Sequence, residues 1–318
     1  MAKFLKLLKN VVPLGLGLYL VYFSFANTSE EDRLQILAAI KQADLKFVFL
    51  SLIFGALSHL SRAYRWNFLL KPLGHQPSFI IRTLTVMISY FSNLGIPRSG
   101  EVLRATALAT YADVPFQKGF GTIVTERIID LILLFSFIGL GFLLHSELLL
   151  EIIGNPTFNI YTLLWIVGIA VLFFVFIKKM KRSHKLWAKK IMGFFNGLWL
   201  GMLSVRSMDN KWAFIAHTLF IWLMYLMMFW VVTFALPETS GLSLSAIIPA
   251  FIAGGFAMSA TNGGIGLYPL AVAAVLQAFD VPYPDALAFG WVMWTGQTIM
   301  VVVFGSLSFL LLPIFSKK

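Results

Sequence analysis

Six arginines and three carboxylates fall in or against apolar stretches of the first 130 residues: Arg62, Arg65, Arg82, Arg98, Arg104 and Arg127, with Glu101, Glu126 and Asp130. An ionised group at membrane depth costs about 2.5–3.5 kcal/mol on insertion scales, so such groups face a protein interior or a water-filled cavity. Guanidinium outnumbers carboxylate in this set, which suits an anionic ligand. The phosphate of a lipid headgroup is the nearest abundant anion, and the planar guanidinium fork matches it better than an ammonium does.

Spacing sorts these residues into three groups. Arg62 and Arg65 stand three apart and share a helix face, flanked by His59 and Trp66; the alternative is that both snorkel to headgroups. Pro97-Arg98-Ser99-Gly100-Glu101 opens a second helix, with Ser99 expected as its N-cap and Arg98 and Arg104 bracketing the first turn. A helix that starts there points free N–H groups and a positive dipole end into the membrane, which makes an anion site. An internal Glu101–Arg104 pair is compatible with it, because a buried Glu needs a cationic partner. Glu126 and Asp130 share a face at i, i+4, with Arg127 offset. They need cations, and the arginines already named are the nearby supply; a purely structural ion-pair network and proton coupling between close carboxylates are the other readings. His217 and the aromatics of 212–236 are expected to serve packing and interface anchoring.

The elements that must hold these groups are membrane spans. Of 318 residues, 59% are hydrophobic and 12% charged, and the mean hydropathy is +0.83. A soluble domain cannot hide that much apolar surface, so the expected class is an all-α, polytopic integral membrane protein forming a single domain over 1–318. The net charge of +11 sits near the ends of apolar runs, as the positive-inside rule requires, rather than in a nucleic-acid footprint. With no cysteine there is no disulfide, thiolate metal site or Cys nucleophile. No Gly-x-x-x-x-Gly-Lys-Ser/Thr, Gly-x-Ser-x-Gly or His-Glu-x-x-His motif occurs, so no cofactor or metal is expected and any transport is passive or driven by an ion or voltage.

Apolar runs long enough to cross ~30 Å of hydrocarbon lie at about 11–26, 45–70, 119–145, 158–177, 212–236 and 286–312, six full spans. Lys3, Lys6 and Lys9 precede the first, and Ser24-Phe25-Ala26 resembles a cleavage site; an uncleaved helix and a cleaved signal peptide both place Asn27 outside. Lys178, Lys179, Lys181, Arg182, Lys185, Lys189 and Lys190 mark a cytoplasmic loop at about 178–211, and Lys317-Lys318 a cytoplasmic carboxy terminus. Glu147 and Glu151, without Lys or Arg, suit an outer loop at 146–157. Parity then requires the segments at about 78–111 and 245–280 each to leave and return on one side. Both are broken in the middle, the first by Asn93, Pro97 and Gly100, the second by Asn262, Gly263, Gly264 and Gly266. Two re-entrant hairpins entering from opposite faces, in the manner of an inverted repeat, fit this pattern; pairs of short crossing helices fit the parity equally. Segment 184–206 mixes Lys185, Lys189 and Lys190 with Trp187, Phe194 and Phe195, as an interfacial amphipathic helix would.

Four pieces carry a family resemblance: Arg62-Ala-Tyr-Arg65-Trp66, Asn93-Leu-Gly-Ile-Pro97-Arg98-Ser-Gly100-Glu101-Val-Leu-Arg104, Thr125-Glu126-Arg127-Ile-Ile-Asp130 and Gly263-Gly264-Ile-Gly266. In order and spacing the chain resembles the transmembrane flippase-like family, the membrane region of lysylphosphatidylglycerol synthase/flippase proteins. The resemblance implies an inner-membrane protein with re-entrant hairpins that translocates phospholipid or polyprenyl-linked lipid. Arg62, Arg65, Arg98, Ser99, Arg104 and Arg127 would then bind the headgroup, supported by Glu101, Glu126 and Asp130. Asn262 and Tyr268 depart from the Pro and acidic residue common in the family. No aminoacyl-transfer domain is visible, so lipid aminoacylation by this chain alone is not expected. Two other classes remain open: a membrane enzyme acting on a lipid phosphate or glycan, and a non-catalytic subunit of a lipid-modifying complex or homo-oligomer, with 178–190 as its cytoplasmic handle.

Overall fold

The computed structural model describes residues 28–96, 98–144 and 186–316, together with 18, 19, 21–23 and 26. Most of the first expected span with its cleavage site, Pro97, the outer loop at 146–157, the span at 158–177, the basic run 178–185 and Lys317-Lys318 lie outside these residues. Among the described residues, ten α-helices follow one another: α1 (Glu30–Gln42), α2 (Leu45–Leu70), α3 (Phe79–Gly95), α4 (Ser99–Ala112), α5 (Phe116–Leu144), α6 (Leu186–Leu203), α7 (Lys211–Val232), α8 (Leu244–Ala260), α9 (Leu267–Gln277) and α10 (Tyr283–Ser316).

Local sequence starts several of them. The Ser29 hydroxyl accepts the Asp32 N–H at the head of α1, whose first turn is acidic (Glu30, Glu31, Asp32) and so matches the positive helix end. Asp44 caps α2 through Lys46 N, Ser78 caps α3 through Ile81 N, and Asn210 caps α7 through Ala213 N. The spans expected at 45–70, 119–145, 212–236 and 286–312 are α2, α5, α7 and α10. Among the described residues, Leu45–Leu73, Lys211–Ala235 and Tyr283–Ser316 are long and apolar enough to cross a membrane.

Two ends of the molecule can be followed from contacts. At one, Lys71 at the close of α2 donates to Asp209 just before α7 (2.7 Å). At the other, Asp44 N donates to Ala235 O (3.0 Å), so α2 and α7 pack antiparallel along their length. Helix α10 joins both ends. Ala286 and Leu287 at its start sit in one core cluster with Leu236 and Ile247, and Leu312 near its close sits in a second cluster with Leu69, Met208 and Phe214. Between the ends lie the two broken segments. The α3–α4 hairpin has its feet at the Lys71 end, where Val114 packs with Leu70. The α8–α9 hairpin has its feet at the Asp44 end, where Leu276 and Val281 pack with Leu236.

Helix lengths place the hairpin tips. At 1.5 Å per residue, the 34 residues of α10 run about 51 Å, while the 17 residues of α3 and of α8 run about 26 Å each. Two such arms end to end match α10, so the tips meet half-way along it. The contacts agree: the Asn262 side-chain amide donates to the Gly95 carbonyl (2.9 Å), and Trp294 Nε1 of α10 donates to the Gly263 carbonyl (2.8 Å). Gly263 has φ +61°, which favours glycine, and a Cβ there would also press on the end of the Leu94 side chain. Backbone polar groups at mid-depth are thus satisfied by protein, as an apolar surrounding demands. Helix α6 forms over part of the segment expected to be amphipathic and lies against the first turns of α5. Gly121 and Gly201 face each other there, and Thr125 Oγ1 donates to Met202 O (3.2 Å).

Candidate functional site

Three helices from the Lys71 end carry their charged residues to one place. Arg62 and Arg65 stand on α2, Arg104 on α4, and Glu126, Arg127 and Asp130 on α5. Arg62 Nη1 donates to Asp130 Oδ2 at 2.8 Å. Arg65 Nη2 lies 3.3 Å from Glu126 Oε1 and 3.5 Å from Asp130 Oδ1, while its Nη1 donates to Thr218 Oγ1 of α7 (2.9 Å). Arg104 Nη1 donates to Glu126 Oε2 at 2.6 Å, and its guanidinium lies over the Trp66 ring at 3.6 Å. The Trp66 indole is held in turn by a bond to Thr122 Oγ1 (2.8 Å). Arg127 Nη2 reaches Asp130 Oδ2 at 3.2 Å.

The i, i+4 spacing of Glu126 and Asp130 is what lets one helix face serve four guanidiniums. Glu126 is fully buried; Arg127, at 44% exposure, is the network's most accessible member. Four guanidiniums against two carboxylates leave two positive charges in excess. The donors are also incompletely used: Arg62 Nε, Arg65 Nε, Arg104 Nε and Arg104 Nη2 are buried without a partner. A buried, unpaired N–H carries a desolvation penalty of about 1–3 kcal/mol, more for a charged group. The arrangement can therefore accept an anion with several oxygens, such as a phosphate. Among the described residues no three His, Cys, Asp or Glu side chains gather as metal ligands.

The α3–α4 turn differs from expectation. Arg98, not Ser99, occupies the N-cap position of α4, in left-handed conformation (φ 58°), and it is exposed and outside the ion-pair network. Ser99 is already helical, and its hydroxyl donates back to Ser92 O (3.1 Å) and Ile96 O (2.8 Å). The N–H of Gly100 is taken by Asn93 Oδ1 (2.8 Å), so Asn93 does there what an anion was expected to do. Gly100 is needed for close approach, since a Cβ would collide with the Ser89 carbonyl. The Glu101–Arg104 pair does not form, because Arg104 is committed to Glu126; Glu101 Oε2 is buried without a partner. At the other tip Gly264 (φ +80°) and Gly266 (φ +70°) make the turn into α9, with Gly266 as its N-cap.

Arg82 also stands apart. Its Nε donates to Pro77 O (3.1 Å) and its Nη1 to the Ala63 and Tyr64 carbonyls of α2 (2.9 and 3.1 Å), which ties α3 to α2. Thr218 and Thr122, which hold Arg65 and Trp66, were not singled out by sequence. Each is one hydroxyl in an apolar helix, and only the fold brings Thr218 across 153 positions to Arg65.

Apolar helices running between two ends, hairpins that meet tip to tip and a buried arginine–carboxylate network define a polytopic α-helical membrane protein. The chain belongs to the lysylphosphatidylglycerol synthase TM region family, whose model matches residues 10–305. Among curated proteins it is similar to UPF0104 membrane protein PH1989 of Pyrococcus horikoshii, with 28% identity over 152 residues that cover 45% of this chain and 44% of the relative. It is also similar to UPF0104 membrane protein MJ1595 of Methanocaldococcus jannaschii, 28% identical over 113 residues, 34% of each chain. A third relative is the glycosyltransferase AglD of Haloferax volcanii, 26% identical over 130 residues, 40% of this chain and 21% of that protein. The chain thus spans less than half the length of each of these relatives. No solved structure matches it.

Proposed function

We propose that this protein moves a phosphate-bearing lipid, a phospholipid or a polyprenyl-phosphate-linked lipid, between the leaflets of the cytoplasmic membrane, without making or breaking covalent bonds. The observation that carries the reading is the excess of two guanidinium charges with four unpartnered buried N–H donors on Arg62, Arg65 and Arg104. In this reading the headgroup phosphate takes those donors while the acyl chains stay in the bilayer. Glu126 and Asp130 hold the guanidinium forks and offset their desolvation. Exposure alternates as the two hairpins part and rejoin at Asn262 and Gly95, with both termini cytoplasmic. The family's description, which names the membrane region of a synthase of a charged phospholipid, supports a lipid partner.

Vesicles that hold the reconstituted protein and a headgroup-labelled phosphatidylglycerol test this. Exchange between leaflets is expected with the wild type and lost in Arg104→Lys, which keeps the charge opposite Glu126 but removes the free Nε and Nη2 donors. Equal exchange in both, with the fold intact, overturns the reading. The glycosyltransferase among the relatives favours one second reading, a membrane subunit or enzyme that handles a lipid-linked glycan. Product formed by the purified protein from a lipid pool, with no leaflet exchange, would select it.

A further inference from the structure

We propose that the interior network continues into a neutral polar subsite, formed by Ser58 and His59 of α2, Tyr90 of α3 and Tyr225 of α7, that binds the hydroxyls of the group esterified to the lipid phosphate. The preferred lipid then carries a hydroxylated head group rather than an amine. The inference rests on the phosphate reading above and specifies what accompanies that phosphate.

The order of residues on α2 sets up the neighbourhood. Ser58 and His59 precede Arg62 by four and three positions, so both lie in the turn next to it, on the side of the Asp44 end. The three side chains are buried, at 0, 4 and 3% exposure. Tyr90 and Tyr225 close over them from α3 and α7. Their hydroxyls meet at 2.8 Å, and the His59 ring centroid lies 4.3 Å from that of Tyr90 and 6.2 Å from that of Tyr225. Both phenols are within electrostatic reach of the Arg62 guanidinium, and Ser58 adjoins Tyr225.

This cluster has unfilled bonding capacity where it meets the network. His59 Nδ1 and Arg62 Nε are buried without a partner, although buried polar atoms in folded proteins are nearly all paired. Two tyrosine hydroxyls bonded to each other use one proton between them, which leaves a second proton and free lone pairs. An aliphatic hydroxyl suits such a set, because it donates to one partner and accepts from another. An ammonium does not suit it, because it can accept from none of these donors. It would also join a network with two positive charges in excess, whose two carboxylates are both engaged by arginine.

Depth puts the subsite on the way between leaflets. Gly55, one turn further along α2, lies against Met228 of α7 and Met300 of α10, and Met300 stands half-way along its helix, level with the hairpin tips. Tyr90 is five residues, about 7.5 Å, before Gly95, whose carbonyl receives Asn262. Ser58 and His59 thus fall between the arginines and the meeting of the tips. A head group entering from the Lys71 end arrives there hydroxyl first, with its phosphate on the guanidiniums behind.

Native mass spectrometry of the full-length protein with phosphatidylglycerol, phosphatidylmethanol and phosphatidylethanolamine tests this. The first two lipids carry the same phosphodiester charge, and of these only phosphatidylglycerol has hydroxyls. The wild type is expected to bind phosphatidylglycerol about tenfold more tightly than phosphatidylmethanol, the worth of one or two buried hydrogen bonds, and phosphatidylethanolamine most weakly. Tyr90→Phe and His59→Phe, which keep a ring in place, should each close most of that gap by lowering phosphatidylglycerol affinity. Unchanged phosphatidylmethanol affinity in the same variants shows that the fold is intact. Arg104→Lys should weaken both anionic lipids alike. Equal affinity for the two in the wild type, as for a subsite that holds water alone, or a gap that persists in both ring variants, overturns the subsite; the phosphate reading survives that result if Arg104→Lys still weakens both. Affinities that Arg104→Lys leaves unchanged overturn the phosphate reading and the subsite with it.

Discussion

Replacing Glu126 by Gln should lower stability and tighten anion binding at the same time. Glu126 is fully buried and accepts from Arg104 at 2.6 Å and from Arg65 at 3.3 Å. A glutamine keeps the shape and one carbonyl oxygen, which Arg104 can retain. The amide N–H2 then faces Arg65, so a donor meets a donor. Removing one partner of a buried pair costs about 3–5 kcal/mol, because it strands the other charge away from water. Thr218 still holds Arg65 Nη1, which places the expected loss toward the lower figure. The network's surplus meanwhile rises from two positive charges to three. A phosphate no longer competes with a carboxylate for Arg104 and Arg65, so phosphatidylglycerol should bind at least about tenfold more tightly, about 1.4 kcal/mol. Leaflet exchange should slow, because release becomes harder. Equilibrium unfolding in mixed micelles reads the first effect, and native mass spectrometry with an exchange assay reads the other two. If stability and anion affinity fall together, or neither moves, Glu126 is not an ionised competitor in this network and the reasoning fails.

Two further predictions concern the frame. Gly263→Ala should destabilise by about 1–3 kcal/mol through its positive φ and the clash with Leu94, and Asn262→Leu by about 1 kcal/mol through the lost bond to Gly95 O, both read by unfolding in mixed micelles; wild-type stability in both variants would mean that the tips do not bear on each other. Because the chain has no cysteine, single-cysteine labelling needs no background removal: Ser207→Cys at the Lys71 end should react with an impermeant maleimide only in opened cells, and Ser240→Cys at the Asp44 end in intact ones. Reaction of both from one side would contradict hairpins that enter from opposite faces.

The long apolar spans and the two broken segments were legible in the sequence, because each is a local pattern: a run long enough to cross hydrocarbon, glycines in an apolar stretch. The i, i+4 pair Glu126 and Asp130 was legible for the same reason, and so was the need of both for arginine. What the pattern did not contain was competition. Asn93 and an anion were equally able to take the Gly100 N–H, and Glu126 and Glu101 were equally able to claim Arg104. The fold decides these contests. It brings α5 across to α4, so Arg104 lies over Trp66 and against Glu126, out of reach of an ion pair with Glu101. The same step isolates Arg98 at the tip and leaves Arg82 to backbone carbonyls. Six arginines that look alike in an apolar sequence therefore divide by partner. Four share two acids in the network, one turns a hairpin, and one is held by backbone carbonyls and makes no ion pair among the described residues. Of these, only a guanidinium with donors left unfilled can favour an added anion, and that condition is met at Arg62, Arg65 and Arg104 inside the network.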